Sequence, residues 1–318
     1  MLALVFWRLA SFIPTLIVAS AILFVAVNVV PGSAALSALG IHATPQALKR
    51  FEHQHGLDRP LAVQYVEWAG KALQGDFGTS FQNAVPVGPE VRKRIPVTLQ
   101  LAGMAFVVAI VLAIPLGVLA GFRHQTGADG VVTTLATLFG STPNFWLATL
   151  LIWFFSLQLG WLPTGGYIGF AEDPAGNLER MLLPCIALGV VSSGLLIRIM
   201  RTAVIEVMSS NFIETARSKG VGDLRLVSFH VLRNALIPFF TVSAVEFGFL
   251  VGSVVIIEDV FRIPGIGSLV LVGIINRDYP VLLAAAMTVT VIVLVVNLIV
   301  DLAAQVIDPR QVRTGHGS

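Results

Sequence analysis

The sequence predicts an all-α integral membrane protein with six spanning helices, and three observations carry that prediction. Hydrophobic residues make up 56% of the chain and charged residues 12%, against about 25% charged in ordinary soluble domains. Six runs approach or exceed the roughly 20 apolar residues that one helix needs to cross a bilayer. A single polar, amphipathic segment, Asn211 to Pro238, is fastened between two of those runs.

The first run, Leu9 to Val30, follows Arg8 but has a longer apolar part than the roughly 7–15 residues of a cleavable leader, so it is expected to stay as a span. Residues 31–96 form a long polar loop with structure of its own. Thr44 followed by Pro45 gives an N-cap with proline at the first helical position, and Leu48, Phe51 and Glu52 continue a helical pattern. A second helix is expected from Leu61, with Tyr65, Trp68 and Ala72 on one face. Glycine turns in Gly75 to Phe81 allow that stretch to fold back as a small cap. The cap reads equally as a packing lid or as a surface that faces substrate.

The second run, Val97 to Gly121, contains Pro115 and the small-xxx-small pair Gly117 and Gly121. The third, about Thr134 to Leu159, is too long for one perpendicular helix if it begins at Val131. Ser141, Thr142, Pro143 and Asn144 mark its expected bend, with a helix on the cytoplasmic side before it. The fourth, Met181 to Met200, holds Pro184 and Cys185, the single cysteine, which rules out an internal disulfide. Prolines at 14, 115, 143 and 184 read as packing kinks or as breaks near a pathway.

Next comes the polar segment. Ser209, Ser210 and Asn211 are candidate N-caps, Glu214 sits in the first turn where negative charge suits the helix dipole, and Arg217 and Lys219 follow. Gly220 and Gly222 stop the helix. Phe212, Ile213 and Ala216 recur at helical spacing, leaving Glu214, Arg217 and Ser218 to face water. By periodicity alone this is an ordinary surface helix or a docking handle.

The fifth run, Ala235 to Ile257, carries Glu246 midway and the pair Gly248 and Gly252. A charge at mid-span costs about 3 kcal/mol on insertion scales, so Glu246 is expected to line a translocation path or to hydrogen-bond a neighbouring span. The glycine pairs let backbones approach closely, within the chain or against a second membrane subunit. The sixth run, Pro280 to Ala304, ends near Asp301, which can reach the interface and has no pathway role. The expected organisation is 1–30 as N-terminus and first span, 31–96 as extracytoplasmic cap, 97–304 as the remaining spans with the polar helix at about 211–222, and 305–318 as tail.

Orientation rests on basic residues. With both termini inside, Arg8, Arg123, Arg198, Arg201, Arg217, Lys219, Arg225, Arg233, Arg310 and Arg313 are cytoplasmic, whereas the two short outer loops hold only Arg180, Arg262 and Arg277. Arg92, Lys93 and Arg94 oppose this, but they lie in a loop longer than the roughly 60 residues over which the rule works well. The net charge of +2 reflects such bracketing rather than nucleic-acid binding.

Several chemistries are absent. No GxxxxGK[ST] phosphate loop occurs, so ATP binding by that route is not expected, and neither a GxSxG elbow nor an HExxH pair is present. His53 and His55 have no Cys partner and no further His beside them, and are expected to be solvated rather than metal-bound. No internal repeat marks a stand-alone secondary transporter, a class that would move solute along an ion gradient unaided. A purely structural membrane subunit is the third class.

Glu214-Thr215-Ala216-Arg217-Ser218-Lys219-Gly220 resembles the EAA signature of ABC-importer permeases, with Thr215 in place of its second residue. GLDRPLAVQYVEW, GDFGTSF, RIPVTLQLA, STPNFW, LGWLPTGGY, HVLRNALIP, EDVFRIPGIGSL, NRDYP and the closing DPR are similar, in order, to the dipeptide/oligopeptide/nickel permease family. The resemblance implies the type I importer fold in a prokaryotic inner or plasma membrane, with both termini cytoplasmic. It also implies a second related permease, two ATPase subunits that hydrolyse ATP in place of this chain, and an extracytoplasmic solute-binding protein.

Within that family the helix carrying Glu214, Thr215, Ala216, Arg217, Lys219 and Gly220 couples to an ATPase. Di- or oligopeptides are the implied solutes, with nickel complexes, glutathione or other small solutes as alternatives, and no cofactor is implied. Arg262, Pro264, Gly265 and Gly267 of the RIPGIG turn, with the cap helices, are the expected binding-protein face.

Overall fold

The computed structural model describes residues 2–29, 33–40 and 42–307. Asp301's side-chain surroundings and the DPR segment lie outside the described residues, as does Val30. Among the described residues every regular element is helical, apart from an isolated bridge between Thr79 and Pro86. Among the described residues five helices are long and apolar enough to cross a membrane, six if one bent pair is counted as a single span. The chain divides into two compact units, residues 1–99 with 262–294 and residues 100–261 with 295–318.

The first unit begins with helix α1 (Leu2–Val29), with Pro14 inside it. Three short helices follow: α2 (Ala34–Leu39), α3 (Pro45–Gln54) and α4 (Leu61–Leu73). Thr44 caps α3 as its sequence requires, its hydroxyl accepting from Ala47 N–H at 3.2 Å. Tyr65 and Trp68 of α4 pack on Phe24 of α1, with ring centroids 5.5 and 5.7 Å apart, and Tyr65 exchanges a 2.8 Å hydrogen bond with Ser20. Helix α2 had no sequence expectation.

Helix α5 runs from Val87 to Phe122, ten residues upstream of the expected start of the second span. Hydropathy marks only the part in hydrocarbon. The backbone ladder continues into the polar zone, supported by an i,i+4 pair in which Arg94 Nε donates to Glu90 at 2.6 Å. The expected cap 31–96 therefore ends inside a helix.

Helix α12 (Ile266–Ile275) starts with Thr98 accepting from Ile266 N–H at 2.8 Å. Gly265 carbonyl oxygen takes a further bond from Arg94 Nη1 at 3.2 Å. Val87, Val91, Ile266, Leu269, Val281, Ala284 and Ala285 form this unit's core. The last three belong to α13 (Tyr279–Ile307).

In the second unit, α6 (Gly127–Ser141) meets α7 (Asn144–Leu151) at a 99° bend over Ser141–Asn144, where Pro143 had been expected to break the run. Helix α7 passes into a π-helical stretch, Ile152–Gln158. Helix α8 (Pro174–Met208) starts before its apolar run because Asp173 accepts from Ala175 and Gly176 N–H, both at 3.1 Å.

Gly117 and Gly121 face α8 within the chain. A Cβ on Gly117 would lie 2.5 Å from Met200 Cβ, and one on Gly121 2.6 Å from Val204 Cβ. Gly248 similarly leaves room for Asn297, whereas a Cβ on Gly252 meets nothing within 4 Å. Cys185 is buried and free.

Candidate functional site

The polar connection after α8 forms α9 (Asn211–Ser218), the short α10 (Asp223–Arg225) and a π-helical stretch, Leu226–Val231. The last leads without a break into α11 (Leu232–Val260). Ser210 occupies the N-cap position of α9 with extended backbone but makes no side-chain cap bond. Its hydroxyl donates back to Val207 carbonyl oxygen, and that of Ser209 to Glu206 carbonyl oxygen. The serines thus finish α8 rather than cap α9. Glu214 is in the first turn of α9 and Arg217 in the last.

The other end is closed by the backbone alone. Val221 N–H reaches Ala216 carbonyl oxygen at 3.2 Å and Gly220 N–H reaches Arg217 carbonyl oxygen at 2.9 Å. That pair is the Schellman pattern, which needs a left-handed residue at its centre. Gly220 supplies it with φ of +77°. Ala216 and Val221, the two positions whose contact accompanies such a stop, both pack against the core of the second unit.

Only one side of α9 is held. Ile213 is buried in that core with Leu226, Val231 and Phe239, and Ala216 lies against it. Phe212, placed by its spacing on the apolar stripe, instead stands 46% exposed. Asn211, Glu214, Thr215, Arg217, Ser218, Lys219 and Gly220 are exposed. Thr215 and Ser218 hydroxyls donate to the carbonyl oxygens four residues back, at 3.0 Å each. Among the described residues Glu214, Arg217 and Lys219 have no ion-pair partner. The result is a short, stiff, charged helix with one apolar anchor line.

The remaining predicted residues lie apart from α9. Glu246 of α11 is half-buried, with Ser192 of α8 beside it. In the first unit Arg262 and Pro264 are exposed while Gly265 and Gly267 are buried. The accessible part of the RIPGIG turn is therefore narrower than the four residues predicted. His53 is 83% exposed and pairs with Asp58 at 2.8 Å, which holds the Asp58 carboxyl below its ordinary range. No cluster of three metal-ligating side chains occurs among the described residues.

Three polar clusters escaped sequence reasoning. Asp129, at the start of α6, is buried against Arg201 of α8, with His124 Nδ1 3.0 Å away. Gln100 donates to the fully buried Asn177 at 2.5 Å and accepts from Tyr167 hydroxyl at 3.2 Å, which ties the LGWLPTGGY loop down. In the first unit, buried Asp278 accepts from Ser80 hydroxyl at 2.5 Å and Phe81 N–H at 3.1 Å, closing the GDFGTSF turn.

Residues 113–313 match the family described as the binding-protein-dependent transport system inner membrane component, and residues 1–102 match its N-terminal region. The chain belongs to this family. It is 37% identical, over 98% of its length and 99% of the relative's, to a "Putative peptide transport system permease protein" of Brucella abortus (strain 2308). It is 36% identical, over 97% and 98%, to the glutathione transport system permease protein GsiC of Salmonella typhi.

Among solved structures, the inward-facing MetNI methionine ABC transporter covers 69% of this chain with 96% of its own, at TM-score 0.58 and 18% identity. That likeness shows the type I importer permease fold. The protein is accordingly a multi-pass inner-membrane permease subunit of an ABC importer, a class that works with ATPase partners.

Proposed function

We propose that this permease forms, with a second related permease, the membrane path for di- or oligopeptides brought by an extracytoplasmic binding protein. Two ATPase subunits on the cytoplasmic side, where both termini also lie, drive the cycle. The names of the Brucella and Salmonella relatives support peptide-like solutes, glutathione being itself a small peptide derivative.

The observation that carries the mechanism is α9: exposed Glu214, Arg217 and Lys219, without ion pairs among the described residues, on a helix anchored through Ile213 and stopped by Gly220. The anchor lies in the core that also holds residues of α8 and α11. A displacement of α9 by an ATPase groove is therefore passed to two spans at once, since close-packed interiors transmit strain. Thr215 and Ala216 complete the docking face and its root. Glu246 lines the path from the α8 side, and Arg262 and Pro264 offer the binding protein a surface. The membrane bundle then alternates between two states biased by nucleotide and by the loaded binding protein.

The test is uptake of a labelled oligopeptide into vesicles holding the assembled transporter. Glu214→Lys and Arg217→Glu should abolish ATP-dependent uptake while the subunit stays folded in the membrane. Uphill transport by the purified single chain, without ATPases, would overturn the assignment.

A further inference from the structure

A groove of about 500 Å³ opens in the first unit between α1, α4, α5 and α13. Leu16, Trp68, Leu73, Val91, Met287 and Val291 line it. Its few polar walls are already satisfied: Ser20 donates to Ile17 carbonyl oxygen and meets Tyr65, and Thr288 donates to Ala284 carbonyl oxygen. Two groups are not. Trp68 keeps its indole N–H buried without an acceptor. Arg92, the sole charged residue in the lining, is exposed and has no ion pair among the described residues.

Arg92 lies five residues before Val97, where the apolar run of α5 begins, or about 8 Å along the helix axis. That is headgroup depth. Its neighbour Arg94 is engaged by Glu90, Gly265 and Ser268, so of the basic triplet that opposed the charge rule only Arg92 and Lys93 remain open. Helix α4 has the character of an interfacial helix, with Val66 68% and Leu73 86% exposed.

We propose that this groove holds an acyl chain of an anionic phospholipid, with its phosphate on Arg92. The volume falls within the range of small-ligand sites. The lining offers an apolar tail almost nothing but carbon and offers an anion one guanidinium, the residue best suited to phosphate. A peptide would leave its backbone donors and acceptors unmatched there. The lipid fastens α4 to α1 and α13, so the cap rests on the bilayer as well as on protein.

The full-length chain in nanodiscs of mixed phosphatidylglycerol and phosphatidylcholine, read by native mass spectrometry, tests this. Wild type should retain phosphatidylglycerol about fivefold over phosphatidylcholine, the preference that one surface guanidinium confers. Arg92→Gln should bring the ratio near parity, Arg92→Lys should keep most of it, and Lys93→Gln, outside the groove, should leave it unchanged. Ala72→Trp, which fills the groove, should remove the tightly held lipid; an unchanged unfolding midpoint in Arg92→Gln shows that the fold is intact. Equal retention of both lipids by wild type, an undiminished ratio in Arg92→Gln, or displacement by soluble glycerophosphate would overturn the proposal.

Discussion

Arg201 donates to both carboxylate oxygens of Asp129, Nε to Oδ1 at 2.6 Å and Nη2 to Oδ2 at 2.9 Å. The same carboxylate accepts from Gln125 N–H at 3.0 Å, so one buried acid fixes the α5–α6 turn and clamps it to α8. Asp129→Asn keeps the shape and loses the charge, and should cost about 1.5–3 kcal/mol, the range for hydrogen bonds to charged groups. Arg201→Lys should lose part of the same stabilisation, because a point charge cannot reproduce the two-pronged geometry. Unfolding in detergent measures both; an unaltered midpoint in Asp129→Asn would show that the clamp is idle.

Gly220 separates backbone geometry from steric room. A Cβ there meets nothing within 4 Å, yet φ is +77°. Gly220→Ala should cost about 1 kcal/mol by strain alone, and Gly220→Asn less. Gly222, with φ of −66°, is the control, and Gly222→Ala should change little. Peptide uptake per ATP hydrolysed should fall in Gly220→Ala before protein stability does.

Gly117 tests close approach. Ala at this position would put its methyl against Met200 and Ile197 carbonyl oxygen, which lies 2.9 Å from the ideal Cβ. Overpacking of this kind costs about 1–3 kcal/mol. Gly117→Ala should lower the unfolding midpoint while Gly252→Ala, in open space, does not. Matching midpoints for the two variants would contradict the tight α5–α8 packing.

Asp278 holds the Gly75–Phe81 turn from the start of α13. Asp278→Ala should leave Ser80 hydroxyl and Phe81 N–H without their acceptor, and limited proteolysis should then cut between residues 75 and 86. Resistance equal to wild type would mean that the aromatic contacts of Phe81 with Phe51 and Tyr279 suffice, at centroid distances of 5.3 and 6.3 Å.

Much of this architecture was legible because the membrane imposes a single, long-range demand on composition. The six runs, the Pro143 bend, the Thr44 cap and the Gly220 stop each follow from a local rule that a few consecutive residues satisfy. Helix starts at Val87, Pro174 and Leu226 were not legible, since hydropathy reports contact with lipid and not the extent of the hydrogen-bond ladder. Neither was the partner of Asp129, 72 residues away along the chain. Phe212 was misplaced because spacing on a helix of eight residues does not fix which arc faces the core. Nor was the burial of Gly265 and Gly267 legible in the turn itself, which Thr98 and Arg94 hold at Ile266 N–H and Gly265 carbonyl oxygen from a different element altogether.

Cys185, the chain's single thiol, is sealed inside the protein at 1% exposure. Toward water-soluble maleimides the natural sequence is therefore silent. Lys219→Cys or Arg262→Cys would place one reactive sulfur at a chosen spot without first stripping the background. Impermeant reagents applied to sealed vesicles of known sidedness would then read directly on which face of the bilayer each residue stands.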